Sequence, residues 1–107
     1  MEDHNPELSF DSLKLKKAAL VLRALNHPLR QKIIRTVHQK QPVNVTELYK
    51  TLKLEQSVAS QHLGILRKAG FVVPARDGRV IYYSVNYSRM QELNALINEI
   101  LLTHNGK

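Results

Sequence analysis

A chain of 107 residues with 16 Lys and Arg, nine Asp and Glu and no cysteine has room for one domain. The missing cysteines exclude disulfides, thiolate metal sites and thiol redox sensing. The formal charge of +7 is uneven: residues 1–11 hold four acids and no Lys or Arg, so the remainder, with 16 basic and five acidic residues, favours a polyanion, either nucleic acid or anionic membrane.

Residues 1–10, MEDHNPELSF, carry acids and a proline without periodicity and read as a flexible acidic arm. This start lacks the apolar segment of a signal peptide, and no apolar run approaches the roughly 18 residues of a membrane span. The expected location is therefore cytoplasmic, with no membrane partner. A first helix is predicted from Asp11 or Ser12, either able to cap it, to about Leu25. Its stretch Ala18–Leu25 is apolar nearly all round, more than one buried stripe needs, which points to burial against another subunit. Asn26-His27-Pro28 breaks it and starts a second helix, with Pro28 at the first position and Leu29, Ile33, Ile34 and Val37 on one face.

After Lys40-Gln41-Pro42, Asn44 followed by Glu47 predicts a capping box for a third helix, in which Val45, Leu48 and Leu52 share a face. A short break leads to a fourth helix over 55–69, with Ala59, Leu63 and Leu66 on its apolar face. Its other side carries Gln56, Ser57, Ser60, Gln61 and Arg67, the donors and acceptors that bond to base edges and phosphates. Such a helix pair is a helix-turn-helix whose second member enters a DNA major groove. Beyond Gly70, Phe71–Val73 and Val80–Val85 read as strands, with Asp77-Gly78 as the hairpin signal and a basic wing over 75–80. A last helix from about Ser88 to Thr103 presents Met90, Leu93, Leu96, Ile97, Ile100 and Leu101. It is expected both to return to the core and to pair with a second chain beside the first helix. The predicted fold is mainly α with a small β-hairpin (α+β), in the order α-α-α-α-β-β-α. Residues 11–107 form one winged helix-turn-helix domain for DNA binding and dimerisation.

The chain resembles the ArsR/SmtB family of bacterial winged-helix repressors. The resemblance is carried by Leu25-Asn26-His27-Pro28-Leu29-Arg30 before Ile33-Ile34, and by Ser57–Leu63 with Leu66–Val72. Asp77-Gly78-Arg79-Val80-Ile81-Tyr82-Tyr83 completes it, over about residues 13–103. It implies a homodimer joined by the first and last helices, a pseudo-palindromic operator, and repression released by an inducer that the sequence does not identify. In the turn, Lys53 and Glu55 stand where the family commonly has Gly and Ser, which predicts a costlier turn without a good N-cap.

The family's metal sites are not matched. Asn44–Leu48 lacks the cysteines of the soft-metal site, and the positions corresponding to the zinc ligands of the last helices fall near Tyr87, Arg89, Ile100 and Thr103. The expectation is no metal site and no cofactor. A metal-responsive repressor using a non-standard site among His4, His27, His38 and His104 stays open as an alternative. So does a winged helix that contacts an acidic protein partner. His62, beside Leu63, is expected to pack or to bond to backbone. An enzyme is not expected: there is no Cys nucleophile, no glycine-rich phosphate loop and no paired carboxylates on a face not already explained by helix pairing.

Binding of double-stranded DNA then divides into contact classes. Gln56, Ser57, Ser60 and Gln61 are the candidate base readers. Lys50, Lys53, Arg67 and Lys68 are the candidate phosphate contacts. Arg76 and Arg79 belong to the wing and are placed to enter or flank the minor groove. Leu20, Val21, Leu93, Ile97, Ile100 and Leu101 are the candidate dimer contacts.

Overall fold

The computed structural model describes residues 8–105, with the side chains of residues 103–105 excepted. Among the described residues, five helices and a three-stranded antiparallel sheet form an α+β winged helix-turn-helix. Most of the expected flexible arm, residues 1–7, lies outside the described residues; residues 8–11 precede the first helix as irregular chain.

Helix α1 spans Ser12–Leu25, and of the two candidate caps it is Asp11 that serves, accepting from the N–H groups of Leu13 and Lys14. Helix α2 spans Pro28–Lys40, and the chain break before it holds a cap: His27 Nδ1 accepts from Leu29 N–H at 3.1 Å and more weakly from Arg30 N–H at 3.5 Å. Ile33, Ile34 and Val37 are buried as their spacing predicts. Two further α2 residues are buried that a purely apolar reading omits, Thr36 and Arg30. The Thr36 hydroxyl donates to the carbonyl of Lys32.

A short strand, β1 (Val43–Asn44), was not expected; it pairs with Tyr82 and Tyr83, so the hairpin becomes a three-stranded sheet. Two residues between a proline and a helix cap are too few to show a period-2 pattern. The capping box forms at the start of α3 (Val45–Leu52): Asn44 Oδ1 accepts from Glu47 N–H, and Glu47 Oε1 accepts from Asn44 N–H. Lys53 ends α3 in the left-handed region at φ +56°, with Leu54 N–H donating to Tyr49 O and Lys53 N–H to Lys50 O. A non-glycine residue costs about 1–2 kcal/mol there, so the turn is closed but costlier, in line with the sequence.

Helix α4 spans Gln56–Lys68, within the expected 55–69, and Glu55 makes no side-chain cap. The helix closes in a Schellman motif, Phe71 N–H donating to Leu66 O and Gly70 N–H to Arg67 O, with Gly70 at φ +87°. Phe71 and Leu66 both sit in the core with Ile33, Val37, Val43 and Leu48. Strands β2 (Val72–Asp77) and β3 (Val80–Val85) pair through to Asp77 and Val80, so the loop is Gly78-Arg79. Gly78 has φ +66° and Arg79 does not, the pattern of a type II′ turn. Ala75 and Arg76 therefore belong to the strand and not to the tip of the wing.

Helix α5 spans Tyr87–Asn105, slightly longer at both ends than predicted. Asn86 fixes its start: its Oδ1 accepts from Arg89 N–H, its Nδ2 donates to Gly70 O, and its backbone N–H donates to Phe71 O. Leu93 is buried in the core while Met90 and Ile97 pack against it half-buried. No helix among the described residues is long and apolar enough to cross a membrane.

Candidate nucleic-acid interface

The second helix of the helix-turn-helix turns Ala59, Leu63 and Leu66 inward, which leaves the opposite face to solvent. Gln56, Ser57, Ser60 and Gln61 are all exposed, as are Arg67 and Lys68 near the end of the helix. At 100° per residue, Ser57, Ser60, Gln61, Gly64 and Lys68 fall within one arc of this outer face. Gly64 is an addition to the predicted set. Beyond the adjacent backbone of its own helix, a Cβ there would meet no atom within 4 Å, so neither internal packing nor backbone strain requires glycine. A mid-helix glycine costs about 1 kcal/mol relative to alanine, and its effect here is a shallow place on the outer face. The sequence signal was available, an isolated glycine inside a helical pattern.

Lys50 and Lys53 are exposed at the end of α3, where the left-handed turn carries Lys53 across to the start of α4. From Val45 to Val80 the chain has six basic residues and three acids. Of those acids, Glu47 is engaged in the capping box. Arg79 lies in the two-residue loop of the wing and Arg76 opposite Ile81 within the sheet, both exposed. An open groove of about 340 Å³ runs between the wing and the start of α3, lined by Thr46, Arg79, Ile81 and Tyr83 among others.

Two arginines hold α4 from either side, and sequence reasoning assigned neither of them this role. Arg30 is 7% exposed. Its Nε donates to Ala24 O at 2.6 Å, its Nη2 to Arg23 O at 3.0 Å, and its Nη1 to His62 Nδ1 at 3.1 Å. Gln31 adds a bond to Leu25 O, so the last carbonyls of α1 are satisfied by α2 side chains. A guanidinium against these carbonyls also suits the negative end of the helix dipole. His62 thus bonds to a side chain, in place of the backbone bond or simple packing expected of it. Burial first, then the neighbouring His27 and Arg30, hold its imidazole below its ordinary pKa. At the other end, Arg89 Nε donates to Ala69 O at 3.0 Å, and the guanidinium carbon lies 6.0 Å from the centroid of the Phe71 ring. Its ion pair with Glu92 at 3.4 Å is exposed and contributes little.

The candidate dimer residues divide. Leu20, Ile100 and Leu101 are more than half exposed, Val21 and Ile97 are half-buried, and Leu93 belongs to the core of its own chain. Leu96 and Val21 line a small groove between α1 and α5, with Leu93 at its floor. As to metal, no group of three or more His, Cys, Asp or Glu is gathered among the described residues. Tyr87 bonds to His38 Nδ1 and Gln41 Nε2.

The chain is similar to known proteins. A helix-turn-helix domain family matches residues 25–74. The chain is 37% identical over 89 residues to the transcriptional repressor PagR of Bacillus anthracis, covering 82% of this chain and 88% of PagR. It is 36% identical over 90 residues to the transcriptional regulator NmtR of Mycobacterium tuberculosis, covering 84% of this chain and 74% of NmtR. The crystal structure of PagR superposes with a TM-score of 0.63 at 34% identity, over 82% of this chain and 100% of that one. An ArsR-like regulator from Rhodococcus superposes with a TM-score of 0.75 over 86% of each chain; at 20% identity it shows the shared fold alone.

Proposed function

The chain belongs to the ArsR/SmtB family of winged helix-turn-helix transcriptional regulators, DNA-binding proteins and not enzymes, and on that premise we propose that it is a homodimeric repressor of a pseudo-palindromic operator. The observation that carries the reading is the outer face of α4, where Ser57, Ser60 and Gln61 are exposed together beside Gly64 and Lys68. Residues 11–107 act as one unit that binds DNA and dimerises. Gln56, Ser57, Ser60 and Gln61 read base edges; Gln61 is suited to a bidentate pair with adenine. Lys50, Lys53, Arg67 and Lys68 neutralise phosphates, and Arg79 at the wing loop, with Arg76 behind it, reaches the flanking minor groove. The name of PagR as a repressor supports repression over activation. In the dimer, α1 and α5 set two α4 helices about one duplex turn apart, roughly 34–36 Å.

Selection from a pool of random duplexes of about 30 base pairs should enrich a site with two related half-sites. Its affinity should fall steeply with salt as counterions are released. Gln61→Ala is expected to cost about 1–3 kcal/mol on the selected duplex and to relax preference at one position of each half-site. Unchanged affinity for both selected and random duplexes would show that α4 reads with another face.

Gly64→Ala separates folding from binding. With no atom of the protein in its way, the methyl group should stabilise the fold by about 1 kcal/mol, seen as a higher urea midpoint. The same methyl group fills the shallow place on the reading face, so affinity for the selected duplex should fall. A variant both more stable and equally tight in binding would remove Gly64 from the interface.

A further inference from the structure

Three histidine and arginine side chains meet at the corner where α1, α2 and α4 join, and the contact classes above use none of them. Arg30 can only donate hydrogen bonds. Its Nη1 lies 3.1 Å from His62 Nδ1, so that nitrogen must offer a lone pair and the imidazole must be neutral with its proton on Nε2. His27 is bound by the same rule, because its Nδ1 accepts the backbone N–H of Leu29. The two rings lie 5.0 Å apart, centroid to centroid, beside one permanently charged guanidinium. The other two arms of that guanidinium grip the last carbonyls of α1. Arg30 is therefore a three-way joint whose one titratable branch ends on the reading helix.

We propose that Arg30, acting through neutral His62, is a positioning residue that registers the reading helix against α1, and that acid releases this joint and weakens DNA binding. The inference rests on α4 being the reading element. A proton taken from solvent onto His62 Nδ1 places an N–H against the Nη1–H of Arg30 and a cation against a cation. The bond is lost, and α4 keeps only its apolar packing and the distal hold of Arg89. Of the charged groups on the elements around α4, those acting on His62 are Arg30 and His27. From α1, the joint receives carbonyl oxygens, and on α3 the carboxylate of Glu47 is engaged in its capping box. No acid on these elements is drawn to His62 to offset the added charge.

The sign of the effect is diagnostic. Protonating exposed histidines adds positive charge and should tighten binding to phosphates. Release of the joint does the reverse. With the selected duplex at constant ionic strength, affinity is measured by fluorescence anisotropy at about pH 7.5 and pH 5.5, the range in which histidine titrates. The expected result is a loss of about threefold or more on acidification, from partial proton uptake by each protomer. His62→Asn supplies a fixed acceptor near the position of Nδ1 and cannot titrate, so its affinity should be the same at both pH values within about twofold. His27→Asn retains a good helix cap and should keep the acid-induced loss. Circular dichroism should show the same helix content at both pH values. Wild-type affinity that is flat or rises in acid, a His62→Asn variant that still loses affinity, or helix content that falls with affinity overturns the proposal. Failure of the wild type to bind any duplex at neutral pH would instead remove the DNA-reading assignment, and this inference with it.

Discussion

Replacing Phe71 with alanine should lower the unfolding free energy by about 3–5 kcal/mol, measured by urea denaturation at neutral pH. The ring is 0% exposed, the largest side chain so enclosed among the described residues. Its removal leaves a cavity in the core cluster that also holds Leu66 and Val72. The backbone of the same residue joins two elements: its N–H closes α4 and its C=O receives the N–H of Asn86 before α5. Small domains have roughly 5–15 kcal/mol of stability in all, so the variant should be near the edge of folding. Phe71→Leu, which fills much of the same volume, should cost less than half as much. A Phe71→Ala loss below about 1 kcal/mol would mean that the core collapses around the gap.

The elements that positioned the interface were legible because they follow local rules. Helix boundaries came from Asp11, Pro28 and the Asn44–Glu47 box, and the buried face of α4 from the spacing of Ala59, Leu63 and Leu66. The corner joint was not legible, although a trace of it is in the pattern. Arg30 stands three, four and seven residues before Ile33, Ile34 and Val37, on the stripe that points inward. His62 likewise follows Ala59 by three residues and precedes Leu66 by four. A polar residue on an apolar stripe signals a buried polar contact, but periodicity cannot name its partner 32 residues away. β1 was missed for a different reason: its two residues gain their strand character from β3, which arrives about 40 residues later.

The assembly prediction has the largest effect on function. The double variant Leu20→Glu, Ile100→Glu should sediment as a monomer and bind the selected duplex about 100-fold or more weakly. Both side chains are wasted in the isolated chain, Leu20 at 56% and Ile100 at 57% exposure. Leu13, Leu96 and Leu101 lie exposed on the same two helices. Burying a Leu or Ile side chain contributes about 1.5–3 kcal/mol, and the two-fold symmetry of the proposed dimer counts each position twice. The same symmetry gathers four new carboxylates at one interface, each to be desolvated without a partner. The loss of affinity follows from the geometry of the proposed dimer: two linked α4 helices would bind two half-sites with the second event made intramolecular, and separated chains would bind each half-site alone. Because neither residue belongs to the core of its own chain, circular dichroism should still show a folded helical protein. A double variant that remains a dimer would place the subunit contact away from α1 and α5. A monomeric variant that kept full affinity would remove the requirement for paired reading helices.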